Sequence, residues 1–317
     1  MDSAVRGDLA MSALDCFDYA VSPNGSFSVV GSAGIGRPNA ASSAASAVPS
    51  DRCGVEDLWL PFDPGSKARV GLDLRPGWVK RWSASWRVAG EEVVVPVGDL
   101  GSAPLAVCEP VRRFGWHPRQ RHRPGLQFIV STGRHHGFES LAEQRLLLAL
   151  DFAGAVLVVS QPFRLRFVTS DGWRDHTPDF AGVLGDGNTW VLDVRPRDRV
   201  DEQARVCFAA TAEAALAAGW RYAVVTGWHG QVLATLDALS AQRRPLTDRL
   251  GLQAELVAAA AAGPCAFGAL VAATSLPAVA RAHALHLLWQ RELGIDLAAP
   301  LNDTSLVWPA SALAGRR

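Results

Sequence analysis

The chain has 317 residues, enough for two domains with further segments. Its apolar fraction of 49% is ordinary for a folded globular protein, and a formal net charge of +0 gives it no global attraction to nucleic acid or to a membrane. The cysteines Cys16, Cys53, Cys108, Cys207 and Cys265 are odd in number, far apart and without a C-x-x-C pair. That pattern argues against a disulfide framework or a zinc site and fits a reducing, cytoplasmic setting. Asp2, Arg6 and Asp8 fall where a signal peptide would be apolar. Residues 256–280 are uncharged, but Gly263, Pro264, Gly268 and Pro277 interrupt them, so no membrane partner is expected.

In chain order, residues 1–50 are rich in Ser, Ala and Gly and read as a disordered N-terminus with room for a short docking segment. Residues 51–110 form a small β-rich leader region. Trp82–Val88 alternates as a strand does, Ala89-Gly90-Glu91-Glu92 reads as a turn, and Val93–Val97 as the return strand. Residues 111–245 form an α/β core that begins with a basic segment. No acidic residue lies between Glu109 and Glu139, while Arg112, Arg113, Arg119, Arg121, Arg123 and Arg134 do. Arginine suits phosphate and base contacts, and Trp116, His117 and Phe128 interleave with it, so these six residues are DNA-binding candidates. A solvated loop is the plainer alternative.

From Gly137 the period becomes helical, with Ser140 near the start and Leu141, Leu146, Leu147, Leu150 and Phe152 following. Strands are expected at Val156–Val159, Phe163–Val168, Asp179–Leu184 and Trp190–Val194, then a helix over 201–218 ending at Gly219, a strand Tyr222–Thr226 and a helix over 231–242. Residues 246–317 turn Ala- and Leu-rich. Phe267–Thr274 and Ala278–Gln290 read as two helices joined across Pro277, followed by short strands around Ile295–Leu297, Pro300-Leu301 and Leu306-Val307-Trp308. That order is a winged-helix-like pattern. His283 and His286 are spaced i, i+3 with no third ligand nearby, which favours packing or DNA contact over metal.

The chemistry concentrates at His176-Thr177-Pro178-Asp179-Phe180 and, on the next strand, Leu192-Asp193-Val194-Arg195-Pro196. Residues i and i+2 of a strand share a face, so Asp193 and Arg195 project together with Val194 turned to the core. Asp193 sits in a strongly apolar run, where an unpaired carboxylate is costly and ligation of a cation is one reason to keep it. Two carboxylates and a cation at one sheet edge suit a divalent metal and a phosphodiester. An acid and a base at i, i+2 also mark ordinary solvated edges. Glu139 and Glu143, spaced i, i+4, share a helix face; each reads either as a further ligand or as a first-turn acid favoured by the helix dipole.

These patterns, ordered along 105–230, resemble the TnsA-like endonuclease subunits of heteromeric transposases, particularly their actinobacterial branch. That family belongs to the PD-(D/E)xK superfamily. The residues that carry the resemblance are Ser131–Glu143, Leu150-Asp151-Phe152, Ser160-Gln161-Pro162-Phe163, His176–Phe180 and Val191–Pro196. It implies a restriction-endonuclease-like core, a mixed sheet flanked by helices. It also implies Glu143, Asp179 and Asp193 as ligands of one or two Mg²⁺ ions, with Mn²⁺ as a substitute. Arg195 stands where the family usually has Lys. Because Arg does not deprotonate, its role there is electrostatic.

The activity so implied is hydrolysis at the 5′ ends of a mobile element, alongside a DDE-type transposase that cuts the 3′ ends and an AAA+ ATPase that regulates both. Two alternatives stay open: a catalytically silent DNA-binding and assembly subunit, and a stand-alone restriction or repair nuclease.

Overall fold

A computed structural model describes residues 47–112 and 124–310. Arg113, Arg119, Arg121 and Arg123, and the stretches 1–46 and 311–317, lie outside the described residues. The chain runs through β1 (Trp59–Phe62), short helices α1 (Ser66–Val70) and α2 (Trp78–Arg81), and the hairpin β2 (Ser83–Val88)–β3 (Glu91–Pro96). Ala89 and Gly90, at φ 52° and 82°, make the two-residue hairpin turn, in which positive φ matches the strand twist. A second hairpin, β4 (Gly125–Ile129)–β5 (Arg134–Phe138), precedes α3 (Leu141–Phe152). Then come β6 (Leu157–Ser160), β7 (Arg164–Thr169), β8 (Gly172–His176), β9 (Phe180–Val183), β10 (Thr189–Val194), α4 (Glu202–Ala217), β11 (Arg221–Trp228) and α5 (Gly230–Ser240). The C-terminal part holds α6 (Leu252–Ala261), β12 (Cys265–Ala266), α7 (Phe267–Ala272), α8 (Pro277–Trp289), β13 (Leu293–Gly294) and β14 (Leu306–Pro309).

The architecture is mixed α/β. The central sheet has the order β1-β11-β10-β9-β6, with β10 and β11 parallel and the other neighbours antiparallel. A four-stranded antiparallel sheet, β3-β2-β7-β8, lies beside it, so the leader hairpin is completed by strands of the core segment. Strand β10 shows how the layers form. Trp190 and Leu192 join the core built with α3, α5, α6 and α8, whereas Val191 joins the core shared by α4 and the four-stranded sheet. Period-2 alternation thus makes β10 the seam between the two cores. Asp193, next in the alternation, belongs to the α4 face.

Helix α4 starts at Asp201, whose carboxylate accepts from the Ala204 N–H at 2.7 Å, and ends where Gly219 turns left-handed at φ 74°. The Trp220 N–H then returns to the Ala215 carbonyl at 2.8 Å, closing the helix end. The pairs β4–β5 and β7–β8 were not expected from the sequence, because Arg134–Gly137 and Trp173–His176 are polar and lack apolar alternation. Helix α6 was missed because its Ala run has no polar stripe to set a period. Ile295–Leu297 is not a strand; pairing occurs at Leu293–Gly294 instead. Residues at the end of the expected disordered N-terminus are held, with the Ser50 N–H on the Ile295 carbonyl at 2.8 Å and Pro49 bridged to Asp296. Among the described residues no helix is long and apolar enough to cross a membrane.

Candidate active site

Antiparallel register decides where the acids meet. Leu192 pairs with Phe180 across β10 and β9, so one step further Asp193 falls opposite Asp179. Directly opposed residues share a face. Both carboxylates, with Glu143 from the first turn of α3 and with Arg195, line one cavity of about 600 Å³ whose wall also includes Arg112, Arg164, Asp175, His176, Arg199 and Phe208.

Each carboxylate has its own support. Asp179 accepts the Val194 N–H on Oδ2 at 2.7 Å. Burial, then the charges of Asp193 and Glu143, raise its carboxyl well above the ordinary range. Asp193 is only 2% exposed. His176 Nε2 lies 3.0 and 3.1 Å from its two oxygens, and the Tyr222 hydroxyl donates to Oδ2 at 2.7 Å. For His176, burial opposes the charge, but the Asp193 carboxylate and then Cys207 outweigh it and lift the imidazolium to about 10. Burial beside Asp193 raises the Tyr222 phenol well above its usual value. Glu143 folds back on its own helix start. Its Oε2 accepts the Glu139 N–H and its Oε1 the Ser140 hydroxyl, both at 2.8 Å, while Ser140 Oγ caps the Glu143 N–H at 3.2 Å. Ser140 is therefore the N-cap of α3, and the Glu143 carboxylate returns to the N–H of the residue before the cap. Burial raises the Glu143 carboxyl despite these bonds.

Arg195 is exposed, and its Nε donates to the Arg199 carbonyl at 3.0 Å, so the guanidinium runs along the loop at the cavity wall. Arg112 lines the same wall and pairs with Glu139 at 2.8 Å. Arg134 starts β5 and does not line the cavity. His283 and His286 are buried: His283 Nδ1 meets Gln253 Nε2 at 3.1 Å, and His286 Nδ1 meets the Gln242 carbonyl at 2.8 Å, which are packing roles.

The donor set suits a hard cation in kind, since three carboxylates whose charges reach one another surround one space. It is not assembled into a cage. Among the described residues no group of three or more His, Cys, Asp or Glu is arranged to hold a metal ion. The Asp193 oxygens instead face His176 and Tyr222. Mg²⁺ tolerates this, because it keeps several waters and commonly takes only one or two protein carboxylates.

Sequence reasoning missed His176 and Tyr222 as site residues. They are 17 and 29 residues from Asp193 and reach it from two other strands, and no local period links such positions. The available signals were the place of His176 at the head of the His176–Phe180 motif and Asp193 itself, a carboxylate in an apolar run that had to find donors. No protein-family model matches the chain, and no curated protein matches it.

Proposed function

We propose that this chain is a metal-dependent DNA endonuclease subunit of a heteromeric transposase, TnsA-like, built on a restriction-endonuclease-like core and acting in the cytoplasm with a DDE-type transposase and an AAA+ ATPase. One observation carries the reading: Glu143, Asp179 and Asp193, brought from a helix start and two neighbouring strands, line one cavity with Arg195. The order α6-β12-α7-α8-β13-β14, with a sheet ordered β12-β14-β13, supports a winged-helix-like C-terminal part.

Glu143 and Asp179 would hold Mg²⁺, with Asp193 joining if His176 and Tyr222 release it. A bound ion supplies an activated water and neutralises charge on the phosphodiester. The chain's own residues hold the acids ready. Val194 N–H fixes the Asp179 carboxylate, Ser140 fixes Glu143, and His176 and Tyr222 fix Asp193. Arg195 offsets charge developing on the phosphate, and its loss should cost ~2–4 kcal/mol of transition-state stabilisation, the scale of one removed oxyanion donor.

The test is nicking of transposon-end DNA by the purified chain together with its transposase. Mg²⁺-dependent nicking should occur, and Arg195→Lys should retain it. A wild-type complex that never nicks sinks the endonuclease reading. The second reading is a silent DNA-binding and assembly subunit, favoured by the hold of His176 and Tyr222 on Asp193. Under it wild type is inactive, and Arg195→Lys is the variant in which cleavage is sought. A stand-alone restriction or repair nuclease would nick with no transposase present.

A further inference from the structure

The four-stranded sheet buries one face and leaves the other open. Leu165 and Phe167 of β7 point into the core shared with α4. Arg164 and Arg166 alternate with them and are exposed. Register places Ser85 beside Arg164 and Ser83 beside Arg166 on β2, with Asp175 opposite Arg166 and Trp173 opposite Val168 on β8. The exposed strip of this face thus carries two arginines and an indole along β7 and β8, with Ser83 partly exposed and Ser85 buried beside them. Trp173 is 53% exposed, and the Arg166 guanidinium lies over its ring at 5.2 Å. Among the described residues neither Arg164 nor Arg166 has an ion-pair partner, although Asp175 stands across from Arg166.

Continuity with the cavity gives this face a direction. Arg164 and Asp175 both belong to the cavity wall. From there β7 carries its next outward cation two residues on, about 6.8 Å along the strand. That step is comparable with the spacing of adjacent phosphates on one nucleic-acid strand. Arginine is the cation suited to bidentate phosphate contact, and an exposed indole beside it is a stacking platform for an unpaired base.

We propose that the open face from Arg164 through Arg166 to Trp173 is a contact track for DNA, leading one strand, with an unstacked base on Trp173, into the cavity. The track rests on the nuclease reading for its occupant, but it is a binding claim that does not need cleavage. Asp175 is the acid that β8 sets against the track, placed where it keeps the strand from settling short of the carboxylates.

The test uses the full chain without divalent metal and two labelled probes, a blunt duplex and the same duplex with a single-stranded tail. Arg164→Ala with Arg166→Ala should weaken binding of both about tenfold or more. It should also lower the log–log salt slope by about 1.8 on duplex and about 1.4 on a single strand, as for two lost phosphate contacts. Trp173→Ala should weaken tailed DNA alone, by about 5- to 150-fold as for one stacked base, and Trp173→Phe should recover most of it. Asp175→Asn should tighten both probes. Unchanged affinity and slope in the arginine double variant, with wild type binding well, overturn the track and leave this face to a protein partner. If wild type nicks DNA and that double variant binds normally, the track alone fails. If the variants lose binding as expected but wild type never nicks, the nuclease reading alone fails.

Discussion

Asp151 and Asp193 are almost equally buried, at 4% and 2% exposure, yet they sit in opposite kinds of place. Asp151, near the end of α3, lies where α3 packs on α5 and the C-terminal helices. One oxygen accepts the Ser131 N–H at 2.9 Å, and the other faces Arg243 Nε at 3.6 Å, too far for a hydrogen bond but within ion-pair distance. Asp193 has cationic and hydroxyl partners too, but across from it lies Asp179, with Glu143 near. A carboxylate that only ties a fold together is surrounded by opposite charge or N–H groups. A fold that gathers like charges around an open cavity keeps an unfavourable arrangement that some other property must justify.

The variant that tests this contrast most severely is Asp179→Ala. It should abolish Mg²⁺-dependent nicking while leaving DNA affinity within a few-fold, because the arginines remain. Undiminished nicking would remove Asp179 from the chemistry. The conservative Asp179→Asn should show the opposite sign in stability. The folded-state Asp179 carboxyl titrates well above its unfolded value of about 3.9. The folded state therefore holds the proton longer, and stability falls as pH rises above that value. Asn removes this loss, so its melting temperature should exceed that of wild type near neutral pH.

On the structural side, Arg243→Leu strands Asp151 as an unpaired buried charge and should cost ~3–5 kcal/mol, read by denaturant unfolding. A cost below about 1 kcal/mol would show that Ser131 alone satisfies Asp151 and that the contrast is overdrawn. His176 gives a pH signature between the two. Its folded pKa of about 10 lies above the unfolded 6.5, so its stabilising pairing is complete below pH 6.5 and is lost between there and about pH 10. His176→Gln should flatten that part of the stability profile. The smallest effect is expected from Ser140→Ala, about 1 kcal/mol for a lost N-cap. It also frees the Glu143 carboxylate from one donor, so any change in divalent-cation affinity measured by calorimetry reports on Glu143 as a ligand.

Much of the framework was legible in the residues. Ser140 followed by Leu141–Phe152 marks a capped helix, Gly219 ends α4, and Trp190–Val194 reads as a strand with Asp193 and Val194 on opposite sides. These are local regularities, written in periods and caps. The polar strands were not legible: β5 and β8 owe their pairing to neighbours supplied by tertiary structure, as does the inclusion of β7 in a sheet with the leader hairpin.

The sequence by itself determined which residues are candidates for the proposed chemistry. Carboxylates at Glu143, Asp179 and Asp193 and a guanidinium at Arg195 are facts of composition and spacing, and strand periodicity already sets Asp193 and Arg195 on one side. Only the tertiary structure decided the company they keep. Strand register, fixed by burial of Phe180 against Leu192, puts Asp179 across from Asp193. Packing of α4 against β8 and β11 brings His176 and Tyr222 to the same carboxylate from 17 and 29 residues away. A buried charge must find partners because solvation is lost. Which partners it finds depends on chain closure over distances that no local pattern encodes.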